Sequence, residues 1–173
     1  RHLVMAEPDP DWLVRDEVIE GLRLLAEYQL SFDVPAVFPD HLHHIPTLAE
    51  KVPNLRIVID HLAKPPIKDR KMEPWASLMR EAAAYPNVYA KISGLNTAAD
   101  WDNWRAADLV PYVDVAFEAF GAERLMYGSD WPICNLAGDY VTVWRETCAV
   151  LQERRQQEIE QVLGGTAIRF YRL

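Results

Sequence analysis

The chain has 173 residues, is half apolar and carries a formal net charge of −8. That length suits about one domain with a sizeable core, and the acidic balance argues against nucleic acid or an anionic membrane surface as partner. No apolar run approaches the ~18 residues of a membrane span, no basic-apolar leader pattern opens the chain, and two cysteines, Cys134 and Cys148, are too few for a disulfide scaffold, so a reduced cytoplasmic compartment is the expectation.

Strand and helix signals alternate along the chain. Arg1–Met5 reads as the tail of a strand, and a first residue that is Arg, not Met, makes a start inside a larger fold the expectation. Glu7-Pro8-Asp9-Pro10-Asp11 is punctuated as a loop. Val14, Val18, Leu22, Leu25 and Tyr28 keep helical spacing. A short strand follows at Leu30–Val34. Leu42, Ile45, Leu48 and Val52 predict a helix over 40–51, stopped at Pro53. Leu55–Asp60 is the next strand, 73–85 a helix with Pro74 in its first turn, and Val88–Ser93 a third strand. A helix over 104–120, capped by Gly121, leads to a strand at Leu125–Ser129. Helices over 138–154 and 156–163 close the chain.

The strand ends Asp33, Asp60, Ser93 and Asp130 are 27, 33 and 37 residues apart. A βα unit takes roughly 30 residues, so this spacing predicts a parallel sheet with right-handed crossovers. An eight-fold barrel needs about 250 residues; four or five βα units are about half of one. No linker, repeat or second domain interrupts the pattern.

Two of the strands end in ionisable groups followed by proline. Arg56-Ile57-Val58-Ile59 runs into Asp60-His61-Leu62-Ala63-Lys64-Pro65, and Arg124-Leu125-Met126-Tyr127 into Gly128-Ser129-Asp130-Trp131-Pro132. C-terminal strand tips are where α/β enzymes place their chemistry. Burying these groups without partners would cost several kcal/mol, so each should be paired or wet. A histidine and an aspartate on different strand ends suit acid–base work or metal ligation. A turn aspartate capping nearby N–H groups and a satisfied buried histidine are the structural alternatives.

These stretches resemble the C-terminal part of an amidohydrolase-related TIM-barrel protein, of the branch with fuconolactonase-like and pyrone-dicarboxylate lactonase-like hydrolases. The ordered set that carries the resemblance is Arg1-His2, Glu7-Pro8-Asp9-Pro10, Leu30-Ser31-Phe32-Asp33, Asp60-His61-Leu62-Ala63-Lys64-Pro65-Pro66, Pro86-Asn87-Val88-Tyr89-Ala90-Lys91-Ile92-Ser93-Gly94-Leu95, Gly128-Ser129-Asp130-Trp131-Pro132 and Gly165-Thr166-Ala167-Ile168-Arg169-Phe170-Tyr171. It implies one domain over 1–173, incomplete at its N-terminus, holding about strands four to eight of a (β/α)8 barrel. His61 would be the strand-six histidine and Asp130 the strand-eight aspartate. The family's first-strand His-x-His pair is absent, and the strand-five tip offers Asp33-Val34 in place of a histidine.

By that resemblance the chain is a hydrolase that cleaves the C–O ester bond of a lactone, from a sugar acid or an aromatic-degradation intermediate. Asp130 would activate water and His61 assist at the carbonyl. Arg1, His2, Lys64 and Trp131 would bind substrate, Arg1 by bidentate bonds to an anion and Trp131, with Trp101, as an aromatic wall. No cofactor is demanded; one divalent metal such as zinc is allowed, with His61 and Asp130 as its ligands. The expected partner is a small-molecule lactone or carboxylate, and a homo-oligomer is allowed. A metal-dependent decarboxylase or amide hydrolase of the same superfamily, or a catalytically silent barrel fragment, are the rival readings. Asp60 either orients His61 or anchors the next loop. His41-Leu42-His43-His44 contains a His-x-His, yet Leu42, Ile45 and Leu48 define the inward stripe there, so the histidines are expected on a solvated helix start. Cys134 follows the Asp130 loop with no neighbouring base. No GxGxxG, Walker A or GxSxG motif appears, against dinucleotide, nucleotide and serine-hydrolase readings.

Overall fold

The structure is a computed structural model describing residues 1–173. Four strands, β1 (Ser31–Val34), β2 (Arg56–Ile59), β3 (Val88–Ile92) and β4 (Leu125–Tyr127), form one parallel sheet in the order β1-β2-β3-β4. Asp33 lies opposite Val58, Val58 opposite Tyr89, and Lys91 opposite Met126. The helices are α1 (Asp16–Glu27), α2 (Ile45–Lys51), α3 (Trp75–Ala83), α4 (Ala106–Phe120), α5 (Tyr140–Leu151), α6 (Gln156–Glu160) and α7 (Thr166–Tyr171).

Side chains alternate across a strand with period two, and here both faces are occupied. Phe32, Val34, Ile57, Ile59, Val88, Ala90, Ile92 and Leu125 join the main core with Ile19, Leu22, Leu48, Met79, Val113 and Phe120 of the helices. On the opposite face Val58 and Met126 pack with Phe170 of α7, against Tyr89 and Tyr171. Asp33 and Lys91 occupy the same face. Burial on both sides explains why β2 reads as an unbroken apolar run.

Most elements lie within a residue or two of the sequence expectation; four segments differ in kind or extent. Arg1–Met5 is not a strand. Val4–Ala6 is a 3-10 turn, closed locally by Val4 N–H to His2 O at 3.0 Å and Ala6 N–H to Leu3 O at 2.9 Å. Only Val4 of this segment reaches the core, too little apolar burial to hold an extended run along β1. The strands held by the chain are therefore four, not the four and a remnant that the spacing suggested. The predicted helix over 40–51 divides into a 3-10 turn, Leu42–His44, and α2. Leu42, Ile45 and Leu48 are fully buried as expected, but His41 and His44 are buried too, because the 3-10 turn rotates His44 inward. The helix predicted over 138–154 spans Tyr140–Leu151, starting where the Asp139 carboxylate accepts from Thr142 N–H. The last helix passes through a π-helical turn at Gln161–Gly165 and continues as α7.

Candidate functional site

β2 ends in an unusual turn. His61, Leu62, Ala63 and Lys64 have φ of 55°, 48°, 57° and 53°, one turn of left-handed helix built without glycine. Such a conformation costs roughly 1–2 kcal/mol per residue and persists only when its surroundings over-determine it. Lys64 N–H bonds to His61 O at 2.8 Å, and Phe38 N–H to Ala63 O at 2.8 Å. The Trp75 indole N–H donates to Leu62 O, also at 2.8 Å. Residues three apart in such a turn share a face, so His61 and Lys64 project together.

They meet Asp130, itself at φ 58° after β4. His61 Nε2 lies 3.4 Å from Asp130 Oδ1, and Lys64 Nζ 3.5 Å from Asp130 Oδ2. The pair bridges β2 and β4 over the tip of β3. That tip is Ser93-Gly94. Ser93 Oγ is 2.7 Å from His61 Nδ1, and Lys64 Nζ donates to Gly94 O at 2.9 Å and Thr97 Oγ1 at 2.6 Å. Gly94 has φ +57°, and a Cβ there would stand 2.4 Å from Asp130 Oδ2, 2.9 Å from Lys64 Nζ and 3.0 Å from His61 Nδ1. Asp130 Oδ2 is buried without a hydrogen bond of its own.

Burial pushes the His61 imidazole down to about 4, with Asp130 pulling it up and Lys64, Arg1 and Lys91 pushing it further down. The ring is neutral at pH 7. When Ser93 O–H donates to Nδ1, the single ring proton sits on Nε2, facing Asp130. Burial also lowers the pKa of Lys64, against the support of Asp130. The linkage for His61 has a definite sign. An unfolded histidine titrates near 6.5, so the unfolded chain gains its proton first as pH falls. The stabilisation is complete above about 6.5 and is lost as pH falls toward about 4. A loss on the order of 3 kcal/mol is expected over that window. Urea midpoints at neutral pH and about pH 4.5 should therefore separate more in the wild type than in His61→Gln; equal separations would refute the assignment.

A second polar cluster lies beneath. Asp60 is fully buried, yet it does not orient His61. Its carboxylate meets Arg1 Nη2 at 2.7 Å and Lys91 Nζ at 2.9 Å. Lys91 also reaches Asp33 Oδ2 at 2.6 Å, which accepts from Tyr171 O–H at 2.8 Å. Burial opposes the Lys91 charge, but its bonds to Asp33, Tyr171 and Asp60 outweigh that and hold its pKa above the ordinary lysine value. Burial pushes the Tyr171 phenol up to about 12. Arg1 thus spends its guanidinium on Asp60, with Asp33 at 3.9 Å. His2 stacks on Trp12 at 4.3 Å and bonds to Glu7 at 2.6 Å, and neither contact involves His61 or Asp130. Trp131 is 65% exposed beside Asp130, and Trp101 is half exposed. Cys134 is buried, with its thiol pushed up by burial, which suits packing over nucleophilic attack. Sequence reasoning missed Ser93, Gly94 and Lys91 as parts of the site. The signal for Lys91 was available: a lysine inside a strand whose neighbours on both sides are apolar.

His61 and Asp130 offer two donor atoms, with the Lys64 ammonium already against the carboxylate. Catalytic zinc sites use three protein ligands, so an ion held by this pair would need at least one more. The one cluster of three donor groups is Asp11, His43 and His44.

Residues 1–173 match the family described as "Amidohydrolase". The chain belongs to the amidohydrolase family. It is 40% identical over 173 residues to an L-fucono-1,5-lactonase of Burkholderia ambifaria, covering 95% of this chain and 58% of that protein. It is 35% identical to an L-fucono-1,5-lactonase of Burkholderia multivorans, covering 100% of this chain and 62% of that protein. Among solved structures, a B. multivorans amidohydrolase with bound zinc superposes with a TM-score of 0.92 at 35% identity, over 100% of this chain and 63% of that one. The chain therefore spans about three fifths of the length of the relatives it matches. Its parallel sheet is a partial barrel of amidohydrolase type. As an amidohydrolase it places His61, Lys64 and Asp130 at the C-terminal strand tips, the active face of such barrels. No helix is long and apolar enough to cross a membrane.

Proposed function

We propose that this chain carries the water-activating half of a lactone hydrolase acting on the cyclic ester of a sugar acid. The observation that supports this most is the convergence of Asp130, His61 and Lys64 within 3.5 Å contacts, in a chain 40% identical to an L-fucono-1,5-lactonase. Asp130 accepts a proton from a water as its oxygen bonds to the lactone carbonyl carbon. As Asp130 takes up that proton it loses its charge, which frees the His61 Nε2–H, aligned by Ser93, to donate to the carbonyl oxygen as negative charge develops there. The acyl C–O bond of the ring then breaks, and the leaving alkoxide takes the proton held by Asp130. Both electron pairs and the proton are accounted for without a further reactant. Lys64 holds the Asp130 side chain and adds positive charge beside the developing oxyanion. Trp131, exposed next to Asp130, offers a flat apolar wall for a sugar ring.

The test is hydrolysis of L-fucono-1,5-lactone and related aldonolactones by the full-length polypeptide, followed by proton release. Acceleration over the spontaneous rate supports the reading; no acceleration with any aldonolactone refutes it. The histidines near residue 43 should stand apart from this chemistry. His43 bonds to the Pro39 carbonyl at 3.2 Å and touches none of the three groups. His43→Ala is expected to leave turnover within a few-fold, and a loss near the ~10² of a missing acid–base group would move the site.

A further inference from the structure

The loop between the first 3-10 turn and α1 crosses the segment that follows β1. Asp11, which precedes the 3-10 turn Trp12–Val14, meets His43 and His44 there. The donor atoms of the three residues lie within 4.8 Å of one another. His44 Nε2 is 3.1 Å from Asp11 Oδ1 and 3.2 Å from Pro10 O. The imidazoles of His43 and His44 pack with centroids 3.8 Å apart, tilted by 45°.

We propose that Asp11, His43 and His44 form a site for a divalent transition-metal ion that ties the Pro8–Val14 loop to the start of α2. Four-coordinate zinc holds nitrogen and oxygen ligands about 2.0–2.2 Å away, which sets neighbouring ligand atoms about 3.4 Å apart. His44 Nε2 now donates its proton to Pro10 O and Asp11 Oδ1 and would release it on binding the ion; its 3.1 Å from Asp11 already approaches that spacing. Two imidazoles and one carboxylate suit zinc, cobalt, nickel or copper, and disfavour magnesium and calcium, which prefer all-oxygen sets. The orientation of His43 is a further, separate support. Its Nδ1 is 3.2 Å from Pro39 O, and ligating histidines characteristically donate their other ring N–H to such a carbonyl. That bond leaves Nε2 as its lone-pair nitrogen. His44 is buried, with only 7% exposure, so one wall of the site is held by the core while Asp11 and His43 remain open to solvent. Two outer ligands on different segments make ion entry simple, and the ion would replace the weak contact now joining them. The role inferred is structural: nothing here touches His61, Lys64 or Asp130, and the site stands whether or not the lactonase reading does.

Zinc chloride and cobalt chloride are the probes, added to metal-stripped full-length protein. In the His61→Gln/Asp130→Asn background, which silences the two donors at the strand tips, one equivalent of zinc should still bind and raise Tm by several degrees. Cobalt should give the visible absorption of a low-symmetry nitrogen–oxygen site. Asp11→Asn and His43→Ala, both at exposed positions, should fold normally without metal and weaken zinc binding by roughly tenfold or more each. An unchanged affinity in both variants overturns the proposal. So does the absence of a zinc-dependent Tm shift in the background protein, which would leave His44 as a plain hydrogen-bond donor to Pro10 and Asp11.

Discussion

Asp130→Asn is expected to retain the fold and to lower kcat for lactone hydrolysis by a factor on the order of 10²–10⁴, with KM little changed. The asparagine keeps the size and the left-handed backbone of the aspartate, since asparagine tolerates positive φ; Asp130 sits at φ 58°. What it loses is the capacity to take a proton from water. The loss is confined to the chemical step, so kcat and kcat/KM should fall together. Removing the carboxylate also removes the partner of Lys64, 3.5 Å away. Lys64 keeps its bonds to Gly94 O and Thr97 Oγ1, so its ammonium stays in place and the variant should not collapse. Turnover within a few-fold of wild type would make Asp130 a turn residue and remove the mechanism proposed above.

Gly94→Ala is the second large effect. The added methyl would stand 2.4 Å from Asp130 Oδ2, nearer than any real contact, and crowd Lys64 and His61 as well. Asp130 would have to move by about an ångström, and a displacement of that size from productive geometry can cost about 10²-fold in rate. Alanine at φ +57° adds a backbone penalty of roughly 1–2 kcal/mol. Gly121→Ala separates the two causes. Gly121 has φ +68°, but its Cβ would meet only the Glu123 side chain, which lies outside the site. Gly121, with ψ at 161°, sits in a region essentially reserved for glycine, so Gly121→Ala should lose at least as much stability in urea, while Gly94→Ala alone loses turnover. Equal turnover in the two would show that the close approach at Gly94 has no part in catalysis.

The parts that local chemistry controls were readable before folding. The apolar runs ending at Asp33, Asp60, Ser93 and Asp130 predicted the strands, their parallel order and the face that carries ionisable groups. The alternation of Leu42, Ile45 and Leu48 predicted which side of that segment is buried. His61 and Asp130 were legible because a charge at the end of an apolar strand has few inexpensive resting places.

Other features depended on residues distant in sequence. The left-handed turn His61–Lys64 has no glycine to announce it. Trp75 and Phe38, from separate segments, hold it, and it alone puts Lys64 beside Asp130. Arg1 looked free to bind an anion, but burial of Asp60 claims it, because a buried carboxylate needs a partner more than a substrate does. Lys91 and Tyr171, 80 residues apart in sequence, meet at Asp33 only because α7 folds across the sheet face that the other helices leave open. His44 was expected in solvent and lies buried against Pro10, 34 residues away. Sequence periodicity reports which face of an element is apolar; it carries no information on which distant group will neutralise a charge or complete a donor set, and that pairing is decided by tertiary packing.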